Sequence, residues 1–120
     1  MTGTRRLLLV DDEPDLLDIL ADALEIAGFE VVTAINGTDA LARLRDGSRF
    51  DVVLSDVTMP GNVSGMDVAT EAIATHPGAC VIVASGHPRS EFPTLPARVR
   101  FMPKPYRVTQ LLQAIDAREA

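Results

Sequence analysis

The sequence predicts a three-layer α/β sandwich, with five parallel strands covered on both faces by helices. Three observations carry that expectation. Residues 7–10 (LLLV), 52–54 (VVL) and 80–84 (CVIVA) are short runs that are apolar at every position, as strands of a parallel sheet buried on both faces should be. The segments between them carry apolar residues at helical spacing and are bounded by Pro, Gly and Asn. Strand and helix alternate with short connections, which implies parallel neighbours and right-handed crossovers.

The first strand, residues 7–10, ends at Asp11-Asp12-Glu13. Pro14 opens the first helix, where its missing N–H removes nothing. Leu17, Leu20, Leu24 and Ala27 form its apolar stripe, and Gly28 is placed to stop it. Residues 30–35 are β-rich and end at the turn pair Asn36-Gly37. Thr38 can cap the second helix, with Leu41 and Leu44 inward and Gly47 beyond its end. Residues 52–55 form the third strand, which ends in a single carboxylate, Asp56. A loop over residues 57–64 leads to a helix carrying Met66, Ala69 and Ile73 inward, stopped near His76-Pro77-Gly78.

Residues 80–84 are the fourth strand. From 85 to 97 the chain holds Pro88, Pro93 and Pro96, which leave little room for a regular helix and predict low local stability. Residues 99–102, flanked by arginines, are expected as a fifth strand at the sheet edge. The last helix shows Val108, Leu111, Leu112 and Ile115 on one face.

Bulk properties exclude several classes. A chain of 120 residues with 47% hydrophobic and 23% charged residues is expected to form one globular domain. Its net charge of −6 and scattered arginines argue against a nucleic-acid footprint. No apolar run approaches the roughly 20 residues of a membrane span, and residues 1–6 do not resemble a signal peptide. A cytoplasmic location is the expectation. The lone Cys80 reads as a small core residue. His76 and His87 lack partners at zinc-ligand spacing and are expected to be solvated. Met59 and Met66 read as packing, and Arg5, Arg6, Arg98 and Arg100 as solvated strand flanks.

In a parallel sheet all strands end at one edge, where such folds bind ligands. Asp11 and Asp12 follow the first strand, Asp56 ends the third, Ser85 follows the fourth and Lys104 the fifth. Three carboxylates, a hydroxyl and the chain's only lysine therefore converge. Two carboxylates about 4 Å apart repel by roughly 4 kcal/mol at an effective dielectric of about 20, so the cluster calls for a cation. Oxygen-only ligands suit Mg2+, which keeps open positions for water and phosphate oxygens. Such an ion would keep Asp56 ionised and nucleophilic. Lys104 offers phosphate a point charge, and Ser85 a hydroxyl. Asp12 also stands where a helix-capping carboxylate would.

Over essentially its full length the chain resembles the receiver domain of two-component response regulators. The matching pieces are LLLVDDEP, LSDVTMPG, VIVASG and FMPKPY, in that order. The resemblance implies a flavodoxin-like (βα)5 fold with strand order 2-1-3-4-5 and, here, a short or irregular fourth helix. It implies Asp56 as phospho-acceptor, Asp12 as direct metal ligand, Asp11 as its water-mediated companion and the Thr58 backbone carbonyl as a further ligand. The implied ion is Mg2+, with Mn2+ as the alternative. Ser85 is implied as the switch hydroxyl, Lys104 as its partner at the phosphoryl group, Pro105 as a cis-proline and Phe101 as the switch aromatic. Implied partners are a sensor histidine kinase or histidine phosphotransfer protein and a downstream protein, with no nucleic acid and no membrane.

Against that family three places stand out, one being Thr58 and His87, which sit where the family tunes hydrolysis of the phosphoryl group. The loop after Asp56 reaches Gly65 with one residue more than the commonest pattern, through Gly61-Asn62-Val63-Ser64, and a reshaped loop with no lost ligand is expected. The proline-broken segment puts the family's usual dimerisation face in doubt. The chain is expected to be a stand-alone regulator or a receiver from a larger protein such as a hybrid kinase, without turnover of its own. Two rivals are weighed. One is a degenerate receiver that binds partners without phosphorylation, against which the intact acids, Ser85 and Lys104 argue. The other is an aspartyl-phosphate phosphohydrolase, which would want a second acid where Thr58 stands.

Overall fold

The computed structural model describes residues 4–116. Its strands are β1 (Arg6–Val10), β2 (Glu30–Ala34), β3 (Val52–Asp56), β4 (Cys80–Ser85) and β5 (Arg100–Pro103). Its helices are α1 (Pro14–Ile26), α2 (Gly37–Arg45), α3 (Gly65–Thr75) and α4 (Val108–Asp116). All strand pairs are parallel and the sheet order is β2-β1-β3-β4-β5.

The apolar runs occupy the middle of the sheet, where both faces are covered. Because successive side chains alternate across a strand, each central strand feeds two cores. Leu8, Val10, Val53, Val81 and Val83 point to one side, where they pack with Ala40 and Leu44 of α2 and Val68, Ala69 and Ala72 of α3. Leu7, Leu9, Val52, Leu54 and Ile82 point to the other, against Leu17, Leu20 and Leu24 of α1 and Leu111 and Ile115 of α4. The edge strands β2 and β5 are only partly buried. That explains why their sequences mix apolar and polar residues.

The helix ends follow local chemistry, with two corrections. Gly28 has φ +106° and sits just past the α1 C-cap, Ala27, so Ala27 is an exposed end residue rather than part of the stripe. The cap of α2 is Asn36, not Thr38: its Oδ1 accepts from the Asp39 N–H at 2.7 Å. The turn pair thus already contains the cap, since Asn is as good an N-cap as Ser. α3 starts at a capping box between Ser64 and Asp67. It buries Val68, Ala69 and Ala72, and half-buried Met66 and Ile73 pack inward against the same core, as expected.

Between β4 and β5 the chain makes one 3-10 turn, Arg89–Glu91, and no α-helix. Leu95 and Val99 are buried there, while residues 86–91 are exposed. β5 begins at Arg100 rather than Val99, one residue later than the periodicity suggests.

Candidate functional site

The C-terminal edge of the sheet collects the polar groups. β1 hands over directly to Asp11, which is buried, and to Asp12, which is half-buried. Asp56 ends β3 next to Ala84 of β4, and Lys104 follows β5. A carboxylate oxygen from each of Asp11, Asp12 and Asp56 can be chosen so that all lie within 4.8 Å of one another. Lys104 Nζ stands 3.2 Å from Asp56 Oδ1 and 3.9 Å from Asp11 Oδ2. With three negative charges and one positive charge, the cluster retains a net charge of −2 when all four groups are ionised. Burial pushes the Asp56 carboxyl up. Lys104 opposes that, and the like charges of Asp11 and Asp12 add to it. The donor set, three hard oxygens with two charges uncompensated, fits a divalent cation.

Local structure holds each group in place. The other oxygen of Asp11, Oδ1, accepts from the Glu13 N–H at 2.9 Å, which leaves Oδ2 facing Lys104. The capping expectation for Asp12 is therefore corrected. Glu13 occupies the N-cap of α1 without a side-chain bond, and Asp11 makes the local bond to the backbone. Lys104 is fixed through its backbone, whose N–H donates to the Ser85 carbonyl at 2.8 Å, and the peptide to Pro105 is cis.

Thr58 is exposed between buried Val57 and Met59. Ser85 is buried, and its Oγ accepts from the His87 N–H at 2.9 Å, so it closes the turn into the proline-rich segment. Phe101 is half-buried with its ring 6.1 Å from that of Phe92.

Three further groups bear on the site and were not legible as such. Tyr106, with Glu13, Leu16, Leu20, Lys104 and Pro105, lines a hollow of about 350 Å3 beside the acids. Burial, together with Asp11 and Asp56, pushes its phenol up to about 12. Ser55, read as part of an apolar strand, is a buried hydroxyl donating to the Asp56 carbonyl at 3.0 Å. Gly65 lies so close to β3 that a Cβ there would fall 2.1 Å from the Asp56 carbonyl oxygen. A glycine opening a helix straight after the acid's loop is the signal that could have marked it.

The opposite edge also differs from expectation. His76 is not solvated: its Nε2 pairs with the Ser48 carbonyl at 2.8 Å and its ring lies 5.6 Å from that of Phe50. The arginines flanking the strands are engaged rather than free. Arg5 pairs with Asp116 at 3.0 Å, and Arg6 pairs with Glu30 at 3.2 Å and lies over Phe50. Arg98 and Arg100 donate to the carbonyls of Ala79 and Ala114. His87 is exposed, 3.5 Å from Glu91.

The pattern of the response regulator receiver domain family matches residues 7–116. The chain belongs to that family. Over 113 residues this receiver domain is 37% identical to the transcriptional regulatory protein GlrR of Escherichia coli, covering 92% of this chain and 25% of that protein. It thus spans about a quarter of that relative's length. The fold matches a response regulator receiver protein of Sinorhizobium medicae with TM-score 0.88 and 29% identity, over 94% of this chain and 92% of the other. It also matches the response regulator TrrA of Thermotoga maritima, solved in complex with Mg2+ and BeF. There the TM-score is 0.80 and the identity 30%, over 92% of this chain and 95% of the other. No helix among the described residues is long and apolar enough to cross a membrane.

Proposed function

We propose that this receiver domain takes a phosphoryl group onto Asp56 from a phosphohistidine, and that phosphorylation alters a protein-interaction face. The donor would be a sensor histidine kinase or a histidine phosphotransfer protein, and the protein served downstream is unassigned. The observation that carries the reading is one carboxylate at a strand end, 3.2 Å from the chain's only lysine and clustered with two more acids. Family membership supports it.

In this reading an Asp56 carboxylate oxygen attacks phosphorus in line. The P–N bond to the donor histidine breaks with its electrons going to the imidazole, and an acyl phosphate remains on Asp56. Asp12 and Asp56 would hold Mg2+ directly, with the Thr58 carbonyl as a third oxygen and Asp11 acting through water. When bound, the ion neutralises charge on the transferring phosphoryl oxygens. Lys104, whose Nζ is 3.2 Å from Asp56 Oδ1, would hold one of those oxygens as a point charge. Ser85 would turn toward another and give up its bond from the His87 N–H. That exchange would loosen the start of the segment ahead of β5, against which Phe101 packs through Phe92.

The test is intact-mass analysis after incubation with acetyl phosphate and Mg2+. A species heavier by one phosphoryl group is expected, and it should vanish in Asp56→Asn and on chelation. If neither acetyl phosphate nor a phosphorylated kinase domain yields an adduct, the domain works as an interaction module without phosphorylation.

A further inference from the structure

The loop over residues 57–64 is held at its inner end by two backbone bonds. The Val57 N–H donates to the Ala84 carbonyl and the Gly65 N–H to the Val57 carbonyl, both at 2.9 Å. The side chains of Val57 and Met59 are buried. The outer half is held differently. Pro60, Gly61 and Asn62 are exposed, and Gly61 takes φ +99°. Val63 then returns to the protein and packs half-buried on the core beneath α2 and α3. Its seat is Gly37, the first residue of α2. A Cβ on Gly37 would lie 2.3 Å from the Val63 carbonyl oxygen and 2.6 Å from Val63 Cβ and Cγ1.

Gly37 is not required by its backbone, because its φ is not positive. Space is the reason. Nor can α2 easily yield. Asn36 caps it through the Asp39 N–H, the Ala40 N–H donates to the Asn36 carbonyl, and Ala40 and Leu44 are buried. The loop is therefore the side that moves if the space is filled, and Thr58 is carried on it.

We propose that Gly37 and Val63 form a latch that sets the position of the Thr58 carbonyl, making Gly37 a positioning residue for divalent-cation binding. This rests on the metal site proposed above. It also gives the one extra loop residue a purpose: it lets Val63, beyond Thr58, reach back to α2. Hydrogen-bond partners of metal ligands typically alter affinity by about tenfold or more when removed, and a packing contact one step further out is expected at the lower end of that range.

The experiment is a Mg2+ titration of the intact chain followed by amide chemical shifts, with no phosphoryl donor present. Wild type should saturate, with shifts at Asp12, Asp56 and Thr58. If wild type shows no saturable shift, the metal site itself fails, and the latch with it. If wild type binds, Gly37→Ala should weaken Mg2+ by about tenfold and displace the amide signals of residues 58–63. Val63→Ala in the Gly37→Ala background should restore part of the affinity, because it removes Cγ1, one of the three crowded atoms. Ala40→Gly, which destabilises α2 while leaving Gly37 and Val63 in place, should leave the affinity unchanged. Gly37→Ala binding within about twofold of wild type, or Ala40→Gly weakening Mg2+ equally, would overturn the latch. Should Gly37→Ala not fold, Val63→Ala alone should still weaken Mg2+, by up to about tenfold, and an affinity within about twofold of wild type would overturn the proposal.

Discussion

The two edges of the sheet carry the same kinds of charged side chain and settle them in opposite ways. At the N-terminal edge each arginine among the described residues has a partner. Arg5 meets Asp116, Arg6 meets Glu30, Arg49 meets Asp51, and Arg98 and Arg100 meet backbone carbonyls. At the C-terminal edge three carboxylates gather around one ammonium. The first edge is complete as it stands, while the second reaches balance only with a further cation. The fold holds that imbalance in place because strand ends are backbone positions, set by the ladder of the sheet rather than by the charges they carry. A site is recognised here by what its charges lack.

Adding Mg2+ tests the difference most strongly. At about 100 times its dissociation constant a ligand that binds only the native state stabilises by about 2.7 kcal/mol. The urea midpoint should rise accordingly in wild type and not in Asp12→Ala. A midpoint indifferent to Mg2+ would mean that the acid cluster is no metal site.

A smaller effect is expected without any metal. Burial raises the Asp56 carboxyl in the native state, so the folded chain holds that proton more tightly than the unfolded chain does. Its contribution to stability is therefore full below the unfolded carboxyl range near 4 and is lost as pH rises through the raised native value. In a chelator, Asp56→Asn should exceed wild type by on the order of 1 kcal/mol at pH near 7, with the gap closing toward pH near 4. Urea titrations across that range measure it, and a gap that is constant or reversed removes the electrostatic account.

The balanced edge should respond least. Arg6→Gln removes the Glu30 pair and the contact over Phe50. A part-exposed pair of this kind is worth at most about 1 kcal/mol, and the loss should be the same with and without Mg2+. A loss that depends on the metal would show that the two edges are coupled.

Much of this was readable before any coordinates. The runs LLLV and CVIVA are apolar at every position because both their faces are covered, and that is a local property of the chain. Asp11, Asp12, Asp56, Ser85 and Lys104 could be placed together because a parallel sheet brings every strand end to one edge. The weak fourth connection was legible in Pro88, Pro93 and Pro96. What escaped was partner choice. Asn36 and Thr38 are both good caps, and only the path of the backbone selects Asn36. His76 looks solvated until Ser48 and Phe50 are brought beside it. Tyr106 looks like any residue opening a helix until α1 covers it.

The sequence by itself determined the order of elements, the faces of the strands and the convergence of acids with one lysine, because periodicity and strand ends follow from short stretches of chain. Only the tertiary structure decided that Asp11 spends one oxygen on the Glu13 N–H, that every strand-flanking arginine is occupied, and that Val63 rests on Gly37. Those contacts join residues by distance and direction in space, and ångström-scale room around a side chain leaves no trace in the pattern of its neighbours along the chain.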